Sequence, residues 1–488
     1  AYDHFGHLRP VKNLCFWWVA NDAASLPFMR ALSLLAALAC AWLVRSVILM
    51  FCASPPLAAA SAALWLLNPT TAVGVSWLSA SNYLFALLGV LFYLKLIERP
   101  TAGRFALAHV ALLFAALSHE LALLTPLWAL VLCRQRGSSP GSGSRALWGA
   151  ALVLAVPLAL RLSATAPELA YRTKLPALQL VASAAYNFVQ NLRLWVWLSG
   201  RFGVLLSQTA ELNLWLSIGA WLGTICAAWL VGKSARLPLG WVLLFLLPVI
   251  NLVPLGITPV ATHYLILPGV GLAWLSALAL ERVARRSPRH FGLAAIALIV
   301  CWQPAFRQTV RAYQSDIALY EATLASYPDN TEARVNLIAA YTETGQSARA
   351  QELLQQALAR TPDHPGLLKL QLLALLQNNR SAEAQAWFER HRDHVQRDPD
   401  LSLRRALLLR SLGRNAEAEQ GFEHVLRIAT EPDIRATAGY QLANLQVQTG
   451  RLAEAQALLG KLHRELPDNP DIKLALRLID DVLRRPVP

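Results

Sequence analysis

Long apolar runs fill the first two thirds of the chain and then stop. Ten of them, at 28–50, 55–68, 82–97, 103–118, 121–133, 146–162, 213–231, 238–255, 263–280 and 290–303, predict membrane-spanning helices, several of them short. From residue 313 the apolar positions become periodic instead. Gly345, Asn379, Gly413 and Gly450 occupy equivalent turn positions, separated by 34, 34 and 37 residues. Tyr341 lies four residues before Gly345 and Ala350 five after it. Leu354, Ala357 and a closing Pro362 complete the unit. Gly450 is followed by Ala455, Leu459 and Pro467 in the same phase.

That spacing is the helix–turn–helix period of tetratricopeptide repeats. The small Ala lets two helices approach, and the Gly permits the tight turn between them. About four units are expected, the second, from Pro365, being degenerate, with a last helix at 470–485 as a cap. The sequence thus predicts an all-α chain: a polytopic transmembrane helix bundle over 1–312, then a repeat α-solenoid over 313–488. Stacked repeats make a concave surface suited to a protein partner.

Charge sharpens this division. Residues 1–312 hold 23 Lys/Arg and seven acids, whereas 313–488 hold 21 and 23. The basic excess is spread over short loops between apolar runs, which argues against nucleic acid as a partner. Lys95, Arg99 and Arg104 share one loop, Arg134, Arg136 and Arg145 a second, Lys233 and Arg236 a third, and Arg282, Arg285, Arg286 and Arg289 a fourth. Connections at 69–81, 119–120 and 256–262 carry no Lys or Arg. The positive-inside rule places the basic loops in the cytoplasm. It places 1–27, 163–212 and the repeats outside, in a periplasm or lumen. An Ala/Leu/Arg-rich composition points to a bacterial inner membrane. The 163–212 loop carries an apolar–aromatic stretch, Tyr186 to Trp197, that suits a helix lying on the membrane surface. The six cysteines have no ligand or redox spacing and read as small hydrophobes. The opening residues look like the middle of a loop.

Candidate chemistry lies on the outer side. Five of the seven acids fall there: Asp3, Asp22, Glu120, Glu168 and Glu211. Asp3 stands beside His4 and His7, with Arg9 close behind. The acid suits a base or a divalent-cation ligand, and the guanidinium suits a bidentate phosphate clamp. Glu120 follows Ser118-His119 between two apolar runs, where an ionisable residue is functional by default. His263-Tyr264 can hydrogen-bond a phosphate or a sugar. Arg172, Lys174, Arg193 and Arg201 are outer-side cations against the positive-inside trend, which suits an anionic ligand or lipid headgroups. The same residues also fit a plain structural reading as solvated loop, helix cap or interface anchor. The chain has no Walker, Rossmann, HExxH or GxSxG motif.

Several segments carry a family resemblance. His263-Tyr264-Leu265-Ile266-Leu267-Pro268-Gly269-Val270-Gly271 resembles the Arg-Tyr-Leu-Tyr-Leu-Pro-Ser-Val-Gly segment of multi-spanning GT-C glycosyltransferases with C-terminal tetratricopeptide repeats. Ser118-His119-Glu120 with Pro126 resembles their Ser-Lys-Glu…Pro segment. Asn68-Pro69 through Trp77 to Leu84 resembles their His-Pro…Glu…Trp…Arg…Leu stretch, with Ala72 and Ser81 near the charged positions. Arg9-Pro10 resembles the pair that ends their first outer loop. The resemblance implies a sugar donor on polyprenyl phosphate, a divalent cation such as Mg or Mn, and a protein acceptor presented by the repeats. It implies Asp3 as the base or metal ligand, and Glu120 as a supporting catalytic residue. His4, Arg9, Arg172, Lys174, Arg201, His263 and Tyr264 are the implied substrate contacts. The alternative is a non-catalytic membrane scaffold that recruits a partner through its repeats.

Overall fold

The structure, a computed structural model, describes residues 9–22, 24–99, 101–135, 148–155, 157–159, 177–196, 219, 232–250, 261–284, 287–467 and 469–484. Among them no strand occurs. The chain divides into two compact units, Ala1–Ala340 and Tyr341–Pro488. The division falls inside a helix, later than the 312/313 change in sequence pattern.

The first unit opens with α1 (Pro10–Asn21), α2 (Ser25–Ile48), α3 (Pro55–Leu66) and α4 (Pro69–Ser76). It continues with α5 (Ser81–Ile97), α6 (Ala102–Ser118) and α7 (Thr125–Gln135). Then come α8 (Ala177–Val196), α9 (Arg236–Leu246), α10 (Gly269–Val283), α11 (Pro288–Ala312) and α12 (Asp316–Ser326). Among the described residues three helical stretches are long and apolar enough to cross a membrane: Ser25–Ile48, Leu78–Ile97 and Pro288–Ala312. A fourth crossing is available if α3 and α4 count as one broken span, bent by 54°. The break has a local cause. Asn68 caps α4 by accepting from the Thr70 N–H, and Pro69 in its first turn cannot continue α3. The expected run at 213–231 lies outside the described residues apart from residue 219, and 146–162 is described at 148–155 and 157–159.

Helices α2, α3 and α5 to α11 contribute to one apolar core, with Trp65, Tyr93, Phe188 and Phe245 fully buried. Two features settle how α10 enters it. The indole N–H groups of Trp65 and Trp241 donate to the carbonyls of Ile266 and Leu267, at 2.9 and 2.8 Å. Gly271 lets α9 and α10 touch backbone to backbone, because a Cβ there would lie 2.4 Å from the Pro238 carbonyl oxygen. The helix begins only at Gly269, so the apolar run expected from 263 starts instead as a 3-10 turn, Thr262–Leu265. The stretch expected to lie on a membrane surface does form a helix, α8. Its Ala184, Phe188 and Trp195 are buried in the common core, and Asn187 donates to the Ile250 carbonyl.

The outward faces of several of these helices are apolar. Phe28, Leu35, Leu38 and Trp42 stand exposed on α2, and Leu293, Ile296 and Val300 on α11. A helix that is greasy both inside and outside is stable only against another apolar phase.

From Thr331 the chain runs in helix pairs: α13 (Thr331–Glu343) with α14 (Ser347–Arg360), and α15 (Pro365–Gln377) with α16 (Ser381–Arg390). A short α17 (Arg392–Arg397) follows, then α18 (Pro399–Ser411) with α19 (Asn415–Ile428), and α20 (Pro432–Gln448) with α21 (Leu452–Glu465). The last helix, α22, spans Pro470–Arg484. The turn residues predicted from the spacing adopt left-handed backbone, with φ of +75°, +54°, +73° and +80° at Gly345, Asn379, Gly413 and Gly450. Glycine and, less easily, asparagine accept that conformation. Ala350, Ala384, Ala418 and Ala455 are buried in the second helix of each pair, as the period requires.

Candidate functional site

Arg9 caps α1, and Pro10 starts that helix with the φ a first turn needs. The Arg9 guanidinium grips Glu120 through two hydrogen bonds, Nη2 to Oε1 at 2.6 Å and Nε to Oε2 at 3.2 Å. A planar fork on a carboxylate is the strong form of this contact. The Arg9 side chain is 13% exposed and that of Glu120 36%.

Glu120 opens a 3-10 turn, Glu120–Leu124, that breaks α6 from α7. His119 caps this turn, its Nδ1 accepting from the Leu121 N–H at 3.2 Å. That bond leaves the proton on Nε2, which faces Glu120 Oε1 at 3.6 Å. The expected helix-cap role and the expected charged role are therefore divided between two neighbours.

An aromatic wall backs the pair. Tyr83 lies with its ring 4.0 Å from that of His119 and 5.2 Å from that of His263. His263 also meets Trp77 edge-on at 5.3 Å, and Tyr264 at 4.7 Å. Trp77 stacks on Tyr313 at 5.6 Å, and the Tyr313 hydroxyl bonds the Thr262 side chain. Burial, with the nearby charges of Arg9 and Lys12, holds His263 well below the usual histidine range, so its imidazole is neutral at pH 7. Burial also raises Tyr264, to about 12, with Glu120 adding to the rise and Arg9 opposing it. The wall thus presents a guanidinium, a neutral imidazole and a protonated phenol.

The structure therefore brings together four of the residues marked from sequence: Arg9, Glu120, His263 and Tyr264. Asp3, His4, Arg172, Lys174 and Arg201 lie outside the described residues. Arg193 stands exposed on α8. Tyr83 and Tyr313 were not singled out, because each reads as an ordinary aromatic at the end of an apolar helix. The one sequence signal is that Tyr83 stands at the start of the 82–97 run, beside an outer connection.

Among the described residues no group of three or more His, Cys, Asp or Glu comes together. The described carboxylate of the site, Glu120, is engaged by Arg9. Among the described residues, Cys15, Cys40, Cys52 and Cys301 are free thiols.

A tetratricopeptide-repeat family model matches residues 309–373 and 409–479. The gap between these segments covers most of the degenerate unit from Pro365, which still folds as a helix pair. The C-terminal region thus consists of tetratricopeptide repeats, a scaffold that suits protein–protein interaction. No curated protein matches the chain.

Proposed function

We propose that the protein is a membrane glycosyltransferase of the GT-C kind. In this reading it moves a sugar from polyprenyl phosphate to a hydroxyl of an extracytoplasmic protein, and the repeats bind the acceptor. The supporting observation is the meeting of Arg9, Glu120, His263 and Tyr264. The family resemblance marks all four, and the sequence gives no local reason for them to gather.

In the proposed reaction Arg9 holds the donor phosphate, with the Tyr264 hydroxyl and the His263 ring N–H donating to its oxygens. Glu120 orients Arg9 and is not the base. Asp3 takes the proton of the acceptor hydroxyl as that oxygen attacks the anomeric carbon. The bond from that carbon to the phosphate oxygen breaks, and polyprenyl phosphate leaves with the electron pair. Asp3 is also the residue that would hold a divalent cation such as Mg or Mn. The membrane of this reading is the bacterial inner membrane, with the repeats in the periplasm.

The test is donor binding followed by transfer. Native mass spectrometry of the full chain with added polyprenyl phosphate should show a one-to-one adduct that Arg9→Ala loses. Transfer from a polyprenyl-phosphate sugar should disappear in Asp3→Asn while the adduct persists. Undiminished transfer in Asp3→Asn removes that residue from the mechanism. Absence of any lipid-phosphate adduct in the unaltered protein sinks the reading.

A further inference from the structure

The helix that carries Arg9 has two unlike sides. Val11, Cys15 and Val19 of α1 pack toward Met29, Ala36 and Phe85. The other side turns outward Leu14 and Trp17, 64% and 65% exposed, together with Phe16 and Trp18. Four large apolar side chains within five residues form more apolar surface than one short helix ordinarily leaves in water.

Two observations say what covers this face. First, it runs into the outward face of α2. The Trp18 ring lies 5.3 Å from that of Phe28, and exposed Leu35, Leu38 and Trp42 continue along α2. Whatever phase surrounds α2 therefore also reaches α1. Second, α1 has 12 residues, roughly 18 Å, too short to cross a bilayer. It contains no acid, and two of its four outward residues are tryptophans, the side chain that collects at headgroup depth.

We propose that α1 lies in the plane of the phospholipid interface, with Leu14, Phe16, Trp17 and Trp18 seated at the headgroup–acyl boundary. This rests on α2 being a membrane span. Arg9, at the cap of α1, is then set between the bilayer on one side and Glu120 on the other. The membrane surface fixes the depth of the guanidinium, and with it the depth at which a lipid-linked phosphate is met.

Photocrosslinking of the full chain in nanodiscs of phosphatidylethanolamine and phosphatidylglycerol tests this. Benzoylphenylalanine replaces Trp17, Trp42 or Leu412 one at a time, each an exposed position that tolerates a new aromatic. Phospholipid adducts are expected at positions 17 and 42, with none at 412 in the repeats. Adducts at 42 with none at 17 overturn the interfacial seat of α1 and leave α2 as a span. Adducts at neither position overturn both.

Discussion

The two units solve one problem, burying a helix face, and present opposite outward surfaces. In the first unit the outward positions are Trp42, Leu35, Ile296 and Val300, and the polar groups turn inward onto backbone carbonyls and ring neighbours. In the second the outward positions carry charge. Arg380 meets Glu383 and Arg414 meets Glu417 at i,i+3 spacing, and Arg451 meets Glu419 across 32 residues. The same buried Ala, Leu and Phe residues serve in both units. What differs is the phase that the folded helix must be better than. In the repeats that phase is water, so apolar burial drives folding. If the first unit crosses a membrane that drive is absent there, and packing rests on contacts and hydrogen bonds such as those of Trp65 and Trp241.

The largest expected effect tests that difference directly. Phe422→Ala empties a fully buried site of the repeats and should cost about 3–5 kcal/mol in denaturant unfolding. Phe245→Ala, equally buried in the first unit, should cost clearly less in detergent or lipid. Equal costs would mean that both cores form from water. A charge on the outer face comes next. Ile296→Arg should cost about 2.5–3.5 kcal/mol of membrane insertion, read as loss from the carbonate-resistant membrane fraction. Leu412→Arg, exposed in the repeats, should stay within about 0.5 kcal/mol of the parent. Retention of the Ile296→Arg protein in membranes would show that α11 is not a span.

At the site, Arg9→Ala leaves the Glu120 carboxylate without its fork and should cost about 1–3 kcal/mol of thermal stability. Adding Glu120→Ala should return part of that loss, and additive losses would mean that the ion pair is incidental. The smallest effect is in the repeat turns. Gly413→Ala forces a Cβ into left-handed backbone and should cost about 1–2 kcal/mol. Asn379→Gly, at the one such position without glycine, should stabilise.

How much of this was legible beforehand differs between the units for the same reason. A repeat is a local code. The glycine that must adopt positive φ and the alanine that must let a helix approach lie at fixed offsets, so Gly345, Gly413 and Gly450 announced their own turns. The cap of α4 was equally local, written in Asn68-Pro69. The apolar runs marked helices whose outward faces are apolar, such as that of Leu35 and Trp42 on α2. Among the described residues three helical stretches, or four with the bent pair, are long and apolar enough to cross. An apolar run says that a segment is buried, and it cannot distinguish a full crossing from a short helix such as α9 or α4 packed inside the unit.

The sequence by itself determined the two patterns, the turns between repeats, and which residues were chemically equipped. Only the tertiary structure decided that Arg9 meets Glu120 across 111 positions of chain, and that Tyr83, Trp77 and Tyr313 wall the place where they meet. Periodicity fixes which face of a helix is buried. Which other helix end it meets depends on the packing of all of them at once, on details such as the missing Cβ at Gly271 and the two indole bonds that hold the turn before α10. The grip of Arg9 on Glu120 was written in neither segment alone.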